Sequence, residues 1–428
     1  MAFNETNYWL TTVSMPAGMP GELPSKVDVA ILGAGFTGLS AARVLAKHGA
    51  KVAVLEANTI GWGASSRNGG MVLTGLKLDP HTLANRYGME PTRQMYADSL
   101  ASIDLVETIV REENIECDFA RCGHLEVACK QSHFDSYARS AEYIAKEFKH
   151  EVSIIPRDEL SSEIGSSIYF GGLVDPTSAG VHPARYVAGL AVAAIRAGAA
   201  VHENTRALKI ARVTNTEFQI STNRGNLIAR DVLIATSGYT SSVTSALQRK
   251  VIPIGSFIVA TRRLSDSLCL ELSPRNRMIY DSKYYLHYYR LTPDHRMLFG
   301  GRAAFFPETK STVEKSAQIL RQDMVEIFPQ LRETEIEFAW GGTLDFCFDT
   351  MPHAGESGGI HYALGYAGHG VAMATYLGAK LAEKIAGASG QVPFSGIPFP
   401  GAPLGLYNGK PWFLPFAGAY YKVLDWIS

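Results

Sequence analysis

A glycine-rich turn between a strand and a helix constrains this chain more than any other feature. Residues 33–38 read Gly-Ala-Gly-Phe-Thr-Gly. They follow the apolar run Val27–Leu32, typical of a parallel strand covered on both faces, and they begin a helical pattern over Phe36–His48. A second strand, Lys51–Glu56, completes a strand–helix–strand unit. Because parallel strands joined by a helix need helices packed on the sheet, the chain is predicted to be an α/β protein.

The spacing of the three glycines indicates a dinucleotide site. Gly33 permits a tight turn, Gly35 lets the backbone approach a pyrophosphate, and Gly38 lets the helix pack against the strand. The first helical residues, Phe36 and Thr37, bring free N–H groups and the positive end of the helix dipole to the phosphates. The alternative is a glycine turn with a structural role alone.

An acidic residue ends the second strand of this unit. Glu56 lies 18 residues beyond Gly38, where its carboxylate is expected to accept hydrogen bonds from ribose hydroxyls. Its charge would repel a 2′-phosphate, which argues against NADP. NAD and FAD both satisfy this first motif.

Two further glycine-rich segments favour FAD over NAD. The loop at residues 61–71 combines small residues, which let the backbone lie against a flat ring, with polar groups; its alternative is a surface loop. The segment at residues 365–371 again follows a strand and begins a helix, about 330 residues after the first turn. One long cofactor contacted at both ends explains both segments. The candidate FAD contacts are Gly33, Gly35, Phe36, Thr37, Gly38, Glu56, Gly63, Ala64, Ser65, Ser66, Arg67, Asn68, Gly69, Gly70, Met71, Gly365, Gly368, His369, Gly370 and Val371.

Composition and charge exclude several classes of protein. The chain has 428 residues, 46% hydrophobic and 19% charged, enough for roughly two or three domains with buried cores. Its 40 Lys+Arg balance 41 Asp+Glu, so we expect no nucleic-acid partner. The five cysteines form no CxxC pair and no metal-spaced set with histidine, which favours a cytoplasmic protein without a metal site. The sequence also predicts no transmembrane segment and no targeting signal.

The order of strand and helix patterns predicts two interleaved domains. We expect a discontinuous Rossmann-like FAD-binding domain over residues 26–90, 180–248 and 339–390. A substrate domain with a mainly antiparallel β-sheet plus helices is expected over 249–338, and the mixed region 91–179 belongs mainly to it. Within this domain the segment Tyr284–Tyr289 is predicted to be a strand. Residues 391–428 form an aromatic C-terminal tail.

The sequence also indicates where the electrons come from. It contains no second GxGxxG in mid-chain for a nicotinamide nucleotide and no redox-active CxxC. The substrate itself is therefore expected to reduce the flavin. Two alternatives are an NADPH-dependent flavin hydroxylase and a non-catalytic flavin subunit of a larger oxidase complex.

Taken together, these motifs resemble the D-amino-acid oxidase-like superfamily of FAD-dependent amine and amino-acid oxidoreductases. Within it the chain is most similar to the γ-glutamylputrescine oxidase and pipecolate oxidase type of bacterial enzyme. The resemblance covers nearly the whole chain. It rests on the segments 8–9, 33–38, 61–70, 180–185, 235–239, 298–302 and 365–370.

The resemblance implies oxidation of a C–N bond. A hydride passes from the carbon beside a neutral amine nitrogen to flavin N5, and the resulting imine is hydrolysed by water. The implied partners are an amine or amino-acid substrate and O2 or another electron acceptor. The resemblance also implies backbone contacts with the adenine at Ala207 and Leu208. It adds further FAD contacts at Thr236, Ser237 and Gly238.

Two positions depart from the sarcosine oxidase branch of this superfamily. Trp340, three residues before Thr343, stands where that branch has a cysteine that tethers the flavin. Ala372 stands where it has a carboxylate-binding lysine. We therefore expect non-covalent FAD, and a substrate that is a larger amine or an acid held by another cation.

Five residues are candidates for the catalytic site. His369 begins the helix nearest the expected flavin ring and is a candidate for the catalytic site; the alternative is that it only packs against or caps that helix. Arg67 is expected to stabilise the reduced cofactor; the alternative is a surface salt bridge. Trp340 is expected beside the flavin, with an ordinary core position as the alternative. In a strand, the side chains of Tyr284, Leu286 and Tyr288 would lie on the same face, and this face is expected to contact the substrate. The alternative is that it takes part in ordinary sheet packing. Arg302 would bind a substrate carboxylate.

The C-terminal tail is the last feature with two interpretations. It is rich in aromatic residues between Lys410 and Ile427. Such a segment can contact a membrane surface or a partner that accepts electrons. The more common outcome is that it packs against its own protein.

Overall fold

The computed structural model describes residues 3–301 and 310–427. Within these ranges the chain forms eighteen strands, β1–β18. In chain order they are Lys26–Leu32, Val52–Leu55, Met71–Val72, His124–Val127, Ser153–Pro156, Gly171–Asp175, Ala179–Gly180, Ala200–His202, Ala207–Arg212, Phe218–Thr222, Gly225–Ile234, Val251–Thr261, Met278–Asp281, His287–Leu291, Met297–Gly301, Ile336–Cys347, His353–Ser357 and Ile360–Leu364.

The same ranges contain eleven α-helices, α1–α11. In chain order they are Phe36–Lys47, Ala64–Arg67, Pro80–Tyr87, Met89–Glu112, Gln131–Phe148, Pro183–Arg196, Ser245–Gln248, Asp266–Leu272, Lys310–Ile327, Gly370–Ile385 and Leu414–Ile427. In the part of the chain described here, no helix is both long and apolar enough to cross a bilayer.

The first large sheet carries the glycine turn. Its strand order is β17-β18-β11-β1-β2-β8, with β9 and β10 attached beside β11, and β18, β11, β1, β2 and β8 run parallel. Along β1, Val29 and Ile31 enter the core beneath α1, α6 and α10, whereas Ala30 and Leu32 enter the core on the opposite face. The apolar run in β1 is thus explained, because both of its faces are buried.

The second large sheet is built almost entirely from antiparallel neighbours. Its order is β16-β12-β15-β14-β13-β4-β6-β5, and among its described strands only β13 and β4 pair in parallel. Helix α9 packs its apolar face, including Leu320 and Met324, against this sheet. The predicted fold class, an α/β protein with a second, mainly antiparallel sheet plus helices, is confirmed.

The division into domains stays a prediction, and two observations bear on it. Strand β16 begins at Ile336 and ends at Cys347 in the second sheet, so the boundary drawn between residues 338 and 339 falls inside a strand. The mixed region 91–179 contributes β4, β5 and β6 to the second sheet, while its helix α4 packs against α10 of the first.

The C-terminal helix packs against its own protein at one end. Asp425 accepts hydrogen bonds from the Tyr284 N–H (2.7 Å) and the Tyr285 N–H (2.9 Å) through its two carboxylate oxygens. The Lys130 ammonium donates to the Asp425 carbonyl oxygen at 2.8 Å. The aromatic side chains of Trp412 and Phe416 are exposed, and membrane or partner contact through them stays a prediction.

Candidate functional site

The turn between β1 and α1 has a geometry that only glycine fits. Gly33 has φ +106°, and a Cβ there would lie 2.6 Å from the Ala235 carbonyl oxygen. A Cβ at Gly38 would overlap the Gly33 carbonyl oxygen, so α1 packs against this turn at its closest possible distance. The Phe36 N–H at the start of α1 donates to Ser65 Oγ at 3.0 Å, which ties the turn to the second glycine-rich segment.

Glu56 is fixed at the end of β2 by backbone groups. One carboxylate oxygen accepts the Ala34 N–H at 2.8 Å and the other accepts the Asn58 N–H at 2.9 Å. Burial raises the pKa of Glu56, and the two N–H groups oppose that rise. Each oxygen keeps a second lone pair for a ligand hydroxyl. Glu56 is thus oriented for hydrogen bonding at the edge of a cavity.

The turn at residues 365–370 lies beside the first turn. Tyr366 Oη and Thr37 Oγ1 are 2.7 Å apart, although about 330 residues separate them. Asp345 accepts the Gly365 N–H at 2.6 Å and the Tyr366 N–H at 3.2 Å. Burial raises the pKa of Asp345 to about 6. Two segments from opposite ends of the chain therefore form one wall.

A cavity of about 400 Å³, the larger cavity, runs along this wall. It extends from Glu56 and Ala207 at one end to Thr343, Leu344 and Asp345 at the other. The structure brings fifteen of the predicted cofactor contacts into its lining. They are Gly33, Gly35, Phe36, Thr37, Glu56, Gly63, Ala64, Ser65, Asn68, Ala207, Thr236, Ser237, Gly368, Gly370 and Val371.

A second cavity of about 150 Å³, the smaller cavity, adjoins the inner end of the larger one. The two share wall residues, namely Ala64, Asn68, Thr343, Leu344, Gly368 and Val371. The predicted residues that line the smaller cavity in addition are Arg67, Gly69, Met71, Tyr288 and His369. A planar group at the inner end of the larger cavity would therefore have one side towards the smaller cavity.

The loop between α2 and β3 contributes Asn68 to the walls of both cavities, and side-chain hydrogen bonds hold it in place. Asn68 donates to the Ala64 and Ser65 carbonyl oxygens at 3.0 and 3.1 Å, and its own oxygen accepts the Gly70 N–H at 2.7 Å. Arg67 donates from Nε to the Trp62 carbonyl oxygen and from Nη1 to the Gly341 carbonyl oxygen, at 2.8 and 3.0 Å. Arg67 thereby joins the loop to β16 while it lines the smaller cavity.

His369 lies at the start of α10 and lines the smaller cavity. Its Nδ1 atom is buried and finds no hydrogen-bond partner among the described residues. Burial, together with the nearby Lys77 ammonium, lowers the pKa of His369 to about 3. The imidazole is therefore neutral at physiological pH and keeps a polar atom available to a ligand.

Trp340 lines neither cavity, and its expected position beside the flavin stays a prediction. Its side chain is 1% exposed, in an apolar cluster with Trp9 and Ile258. Its indole N–H donates to the Arg67 carbonyl oxygen at 3.0 Å. This buried position agrees with the alternative of a core residue, and from there Trp340 supports the segment that carries Arg67.

The strand predicted at Tyr284–Tyr289 begins three residues later than expected, since β14 is His287–Leu291. Leu286 and Tyr288 line the smaller cavity, and Tyr288 Oη lies 3.2 Å from Ser256 Oγ. Tyr284 lies outside the strand, is 50% exposed and packs against Tyr421, so it does not share their face. Arg302 lies outside the described residues.

Six other predicted contacts line neither cavity. Leu208 has a side chain 56% exposed, and Ser66 is buried and bonds to Asn7. A Cβ at Gly238 would lie 2.9 Å from the Leu344 carbonyl oxygen, and one at Gly365 would lie 2.5 Å from Cys347 Sγ. The complete set of predicted contacts outside the two linings is Gly38, Ser66, Gly70, Leu208, Gly238 and Gly365.

Sequence reasoning missed several lining residues. Lys77, Ser256, Tyr280 and Phe346 line the smaller cavity and come from four separate elements or loops. No local pattern marks them, because their proximity depends on how the second sheet packs over the first. Asp345, which lines the larger cavity, could have been found from the sequence. It is the single acidic residue in the apolar segment 338–347, which indicates a buried polar contact.

Comparison with known proteins agrees with this geometry. The family of FAD-dependent oxidoreductases called DAO matches residues 28–384. A probable oxidoreductase, OrdL, from Haemophilus influenzae is 32% identical over 93% of this chain and 92% of its own length. The γ-glutamylputrescine oxidoreductase of Escherichia coli is 30% identical over 93% of this chain and 92% of its own. The crystal structure of glycine oxidase from Geobacillus kaustophilus has the same fold, with TM-score 0.74 and 20% identity over 88% of this chain and all of that one.

The chain therefore belongs to the DAO family of FAD-dependent oxidoreductases. It is an enzyme whose cofactor is FAD, as predicted from the glycine turns. The residues fit the cofactor on structural grounds: Glu56, Ala207 and the β1–α1 turn line the larger cavity, and the smaller cavity beside it contains the neutral His369, whose Nδ1 has no hydrogen-bond partner among the described residues.

Proposed function

We propose that this enzyme oxidises the C–N bond of an amine or amino acid to an imine, which water then hydrolyses. The smaller cavity is the observation that carries the proposal. It adjoins the inner end of the cofactor cavity, and its walls combine aromatic and apolar side chains with the cationic groups of Arg67 and Lys77. FAD, when bound, supplies the acceptor for the hydride equivalent removed from carbon.

The walls of the smaller cavity favour a substrate that carries a carboxylate as well as an amine. Arg67 and Lys77 give the cavity a positive potential that a carboxylate complements. The same potential lowers the pKa of a bound alkylamine from about 10.4, which favours the reactive neutral form. Tyr288, Leu286 and Phe346 provide surfaces for an aliphatic chain. The name of the Escherichia coli relative, γ-glutamylputrescine oxidoreductase, describes a compound with these features.

The residues around the reacting carbon act by orientation and charge rather than as a strong base. Neutral His369 can accept or donate one hydrogen bond in the smaller cavity, next to Gly368 of the wall shared with the cofactor cavity. Arg67 is held by two backbone carbonyls, so its charge stays fixed while negative charge develops on reduction. Fixed dipoles and charges of this kind need no reorganisation during the reaction.

An anaerobic donor screen tests the proposal. The purified yellow enzyme is mixed with γ-glutamyl amines, polyamines, cyclic imino acids and D-amino acids, and flavin absorbance is followed by stopped flow. We expect bleaching by an amine donor, fastest with one that also carries a carboxylate. NADPH is included as the comparison. Bleaching by NADPH and by no amine would identify a hydroxylase and refute the proposal.

A further inference from the structure

The C-terminal segment concentrates exposed apolar side chains. Among the described residues sixteen large hydrophobic side chains are exposed, and six of them lie between positions 404 and 423. These six, each between 54% and 91% exposed, are Leu404, Leu406, Trp412, Phe416, Tyr420 and Val423. Single exposed apolar residues are ordinary on a protein surface, whereas a cluster of them marks a surface that another body covers.

Helix α11 has two unlike faces. Successive residues of a helix are about 100° apart, so the large exposed side chains of α11 fall within an arc of about 60°. They are Phe416, Tyr420 and Val423, the outer face of α11. The opposite arc contains the buried or half-buried residues Leu414, Gly418, Tyr421 and Asp425. A surface helix ordinarily directs its apolar stripe to the core and its charges to water, so this outer face fits an apolar environment.

The inner face of α11 is fixed beside the smaller cavity. Leu414 belongs to one apolar cluster with Phe346 and Ala367, and Phe346 lines that cavity. Near the other end of the helix, the Asp425 carboxylate accepts the N–H groups of residues 284 and 285. The outer face therefore cannot turn towards the protein without breaking contacts at both ends.

The loop before α11 is held against the start of the helix. The Tyr407 and Phe413 rings have centroids 5.8 Å apart, and the Tyr407 hydroxyl donates to the Val251 carbonyl oxygen at 2.8 Å. Leu404 and Leu406, the two exposed leucines, precede this anchor in the chain. The loop thus brings further apolar side chains to the same end of the molecule as Trp412.

The charges in this segment have one sign. Between residues 385 and 424 the only charged residues are Lys410 and Lys422, although 19% of the whole chain is charged. Lys410 is exposed. The next acid, Asp425, is turned inwards to the backbone of residues 284 and 285. The segment therefore combines exposed apolar side chains with positive charge.

This combination fits an anionic lipid surface better than a second copy of the chain. Two copies related by a two-fold axis would bring Lys410 to a segment that offers it no carboxylate. Anionic headgroups complement the lysines, and apolar side chains enter the boundary between headgroups and acyl chains. Trp412 and Tyr420 suit that depth, because each joins an apolar ring to a polar N–H or O–H group.

We propose that residues 404–424 dock the enzyme on an anionic phospholipid surface, with Trp412 and the outer face of α11 inserted among the headgroups. The 14 residues of α11 span about 21 Å, so the helix lies along the surface. Because Leu414 packs with Phe346, docking places the smaller cavity near the bilayer. The contact is independent of the amine chemistry.

Vesicle binding tests the proposal with the full-length holoenzyme. The enzyme is sedimented with vesicles of phosphatidylcholine alone or mixed with phosphatidylglycerol. We expect binding to the mixed vesicles, and the double variant Trp412→Ala with Phe416→Ala should lower the partition constant roughly tenfold or more. Leu270→Ala is the matched control, since Leu270 is 66% exposed on α8, outside the segment, and it should bind like wild type. FAD content and urea midpoints should be equal in all three proteins, because the substituted side chains are exposed.

Two further measurements define the contact. Lys410→Gln should weaken binding to the mixed vesicles roughly fivefold and leave binding to neutral vesicles unchanged. Brominated phosphatidylcholine in the mixed vesicles should quench tryptophan fluorescence of the wild type, and Trp412→Phe should remove most of that quenching. Quenching that persists in Trp412→Phe would show that another part of the chain meets the lipid, and would overturn the proposal.

Three other results would also overturn it. The first is a wild-type enzyme that does not bind the mixed vesicles, and the second is equal binding by wild type and the double variant. The third is a wild-type dimer in light scattering that the double variant converts to a monomer, because a second copy would then cover the outer face. None of these results concerns flavin reduction by an amine, so the proposed function stands or fails separately.

Discussion

The two cavities are built from different parts of the protein. The larger cavity is walled mainly by backbone and small residues at the ends of strands in the first sheet, such as Gly33, Ala64 and Gly368. The smaller cavity is walled mainly by large side chains, such as Tyr280, Tyr288 and Phe346, from the second sheet. Under the proposed function, the comparison teaches that cofactor binding depends on close backbone packing, whereas substrate choice depends on side chains that can vary without disturbing the first sheet.

The largest expected effect comes from adding one methyl group at the glycine turn. In Gly38→Ala the new Cβ would overlap the Gly33 carbonyl oxygen, so the turn and α1 must move apart. We expect a loss of about 3 kcal/mol in the free energy of unfolding and loss of most bound FAD. Urea unfolding and the ratio of flavin to protein absorbance measure both effects. Gly401→Ala is the control, because a Cβ there meets nothing within 4 Å; equal behaviour of the two variants would contradict the packing argument.

Glu56→Ala tests the carboxylate at the end of β2, which lines the larger cavity. Removing the carboxylate leaves the Ala34 and Asn58 N–H groups without their acceptor and removes the expected partner of the ribose. Charge-assisted hydrogen bonds contribute about 1.5–3 kcal/mol, so FAD should bind roughly tenfold to a hundredfold more weakly. Titration of the apoprotein with FAD measures the change, and unchanged affinity would show that Glu56 does not hold the ribose.

His369→Ala and Arg67→Ala should affect the chemistry more than cofactor retention, because both side chains face the smaller cavity. We expect each to lower the rate of anaerobic flavin reduction roughly tenfold. Arg67→Lys should recover only part of the rate, since a lysine cannot reach the Trp62 and Gly341 carbonyls together. If both alanine variants stay within about twofold of wild type, these residues do not form the active site.

A pH-dependent effect is expected in the second sheet, next to the smaller cavity. Burial opposes a charge on His287, but Asp281 and Asp323, at 3.1 and 2.9 Å, raise its pKa to about 9. The raised pKa adds to the free energy of unfolding. This addition is fully present below the ordinary pKa of 6.5 and is lost as pH rises through about 9. The urea midpoints of wild type and His287→Gln should therefore differ most near pH 6.5 and converge above about pH 9. A difference that grows with pH would contradict the assignment.

The smallest expected effect lies at the C-terminal helix. Asp425 holds the N–H groups of Tyr284 and Tyr285, in the loop that leads to Leu286 at the smaller cavity. Asp425→Ala should raise KM by up to about fivefold, equivalent to roughly 1 kcal/mol, with FAD content unchanged. Steady-state kinetics with the identified donor measure it. A loss of FAD instead would mean that the helix supports the larger cavity.

The contrast between the cavities also explains how much could be predicted from the sequence. The turn at Gly33–Gly38 and the acid at Glu56 are local patterns with a strict geometry, so the first sheet and much of the cofactor wall could be predicted. Trp340 was expected beside the flavin but lines neither cavity, because β16 turns that side chain into the core cluster, and the register of a long strand is not visible locally. Tyr280 and Lys77 were missed because only tertiary packing brings them to the cavity.

Non-covalent binding of FAD stays a prediction from the absence of a cysteine at position 340. Acid precipitation of the yellow protein separates the two cases. We expect the chromophore in the supernatant. Flavin absorbance that stays with the precipitated chain would show a covalent bond at another residue.

The central claim is that the two cavities form one site, with the cofactor in the larger and the amine in the smaller. A crystal structure of the holoenzyme with a bound amine donor under anaerobic conditions tests it most directly. We predict the flavin ring at the wall shared by Ala64, Thr343 and Gly368, with the amine between that ring and Tyr288. A flavin ring elsewhere, or an amine bound outside the smaller cavity, would contradict this account.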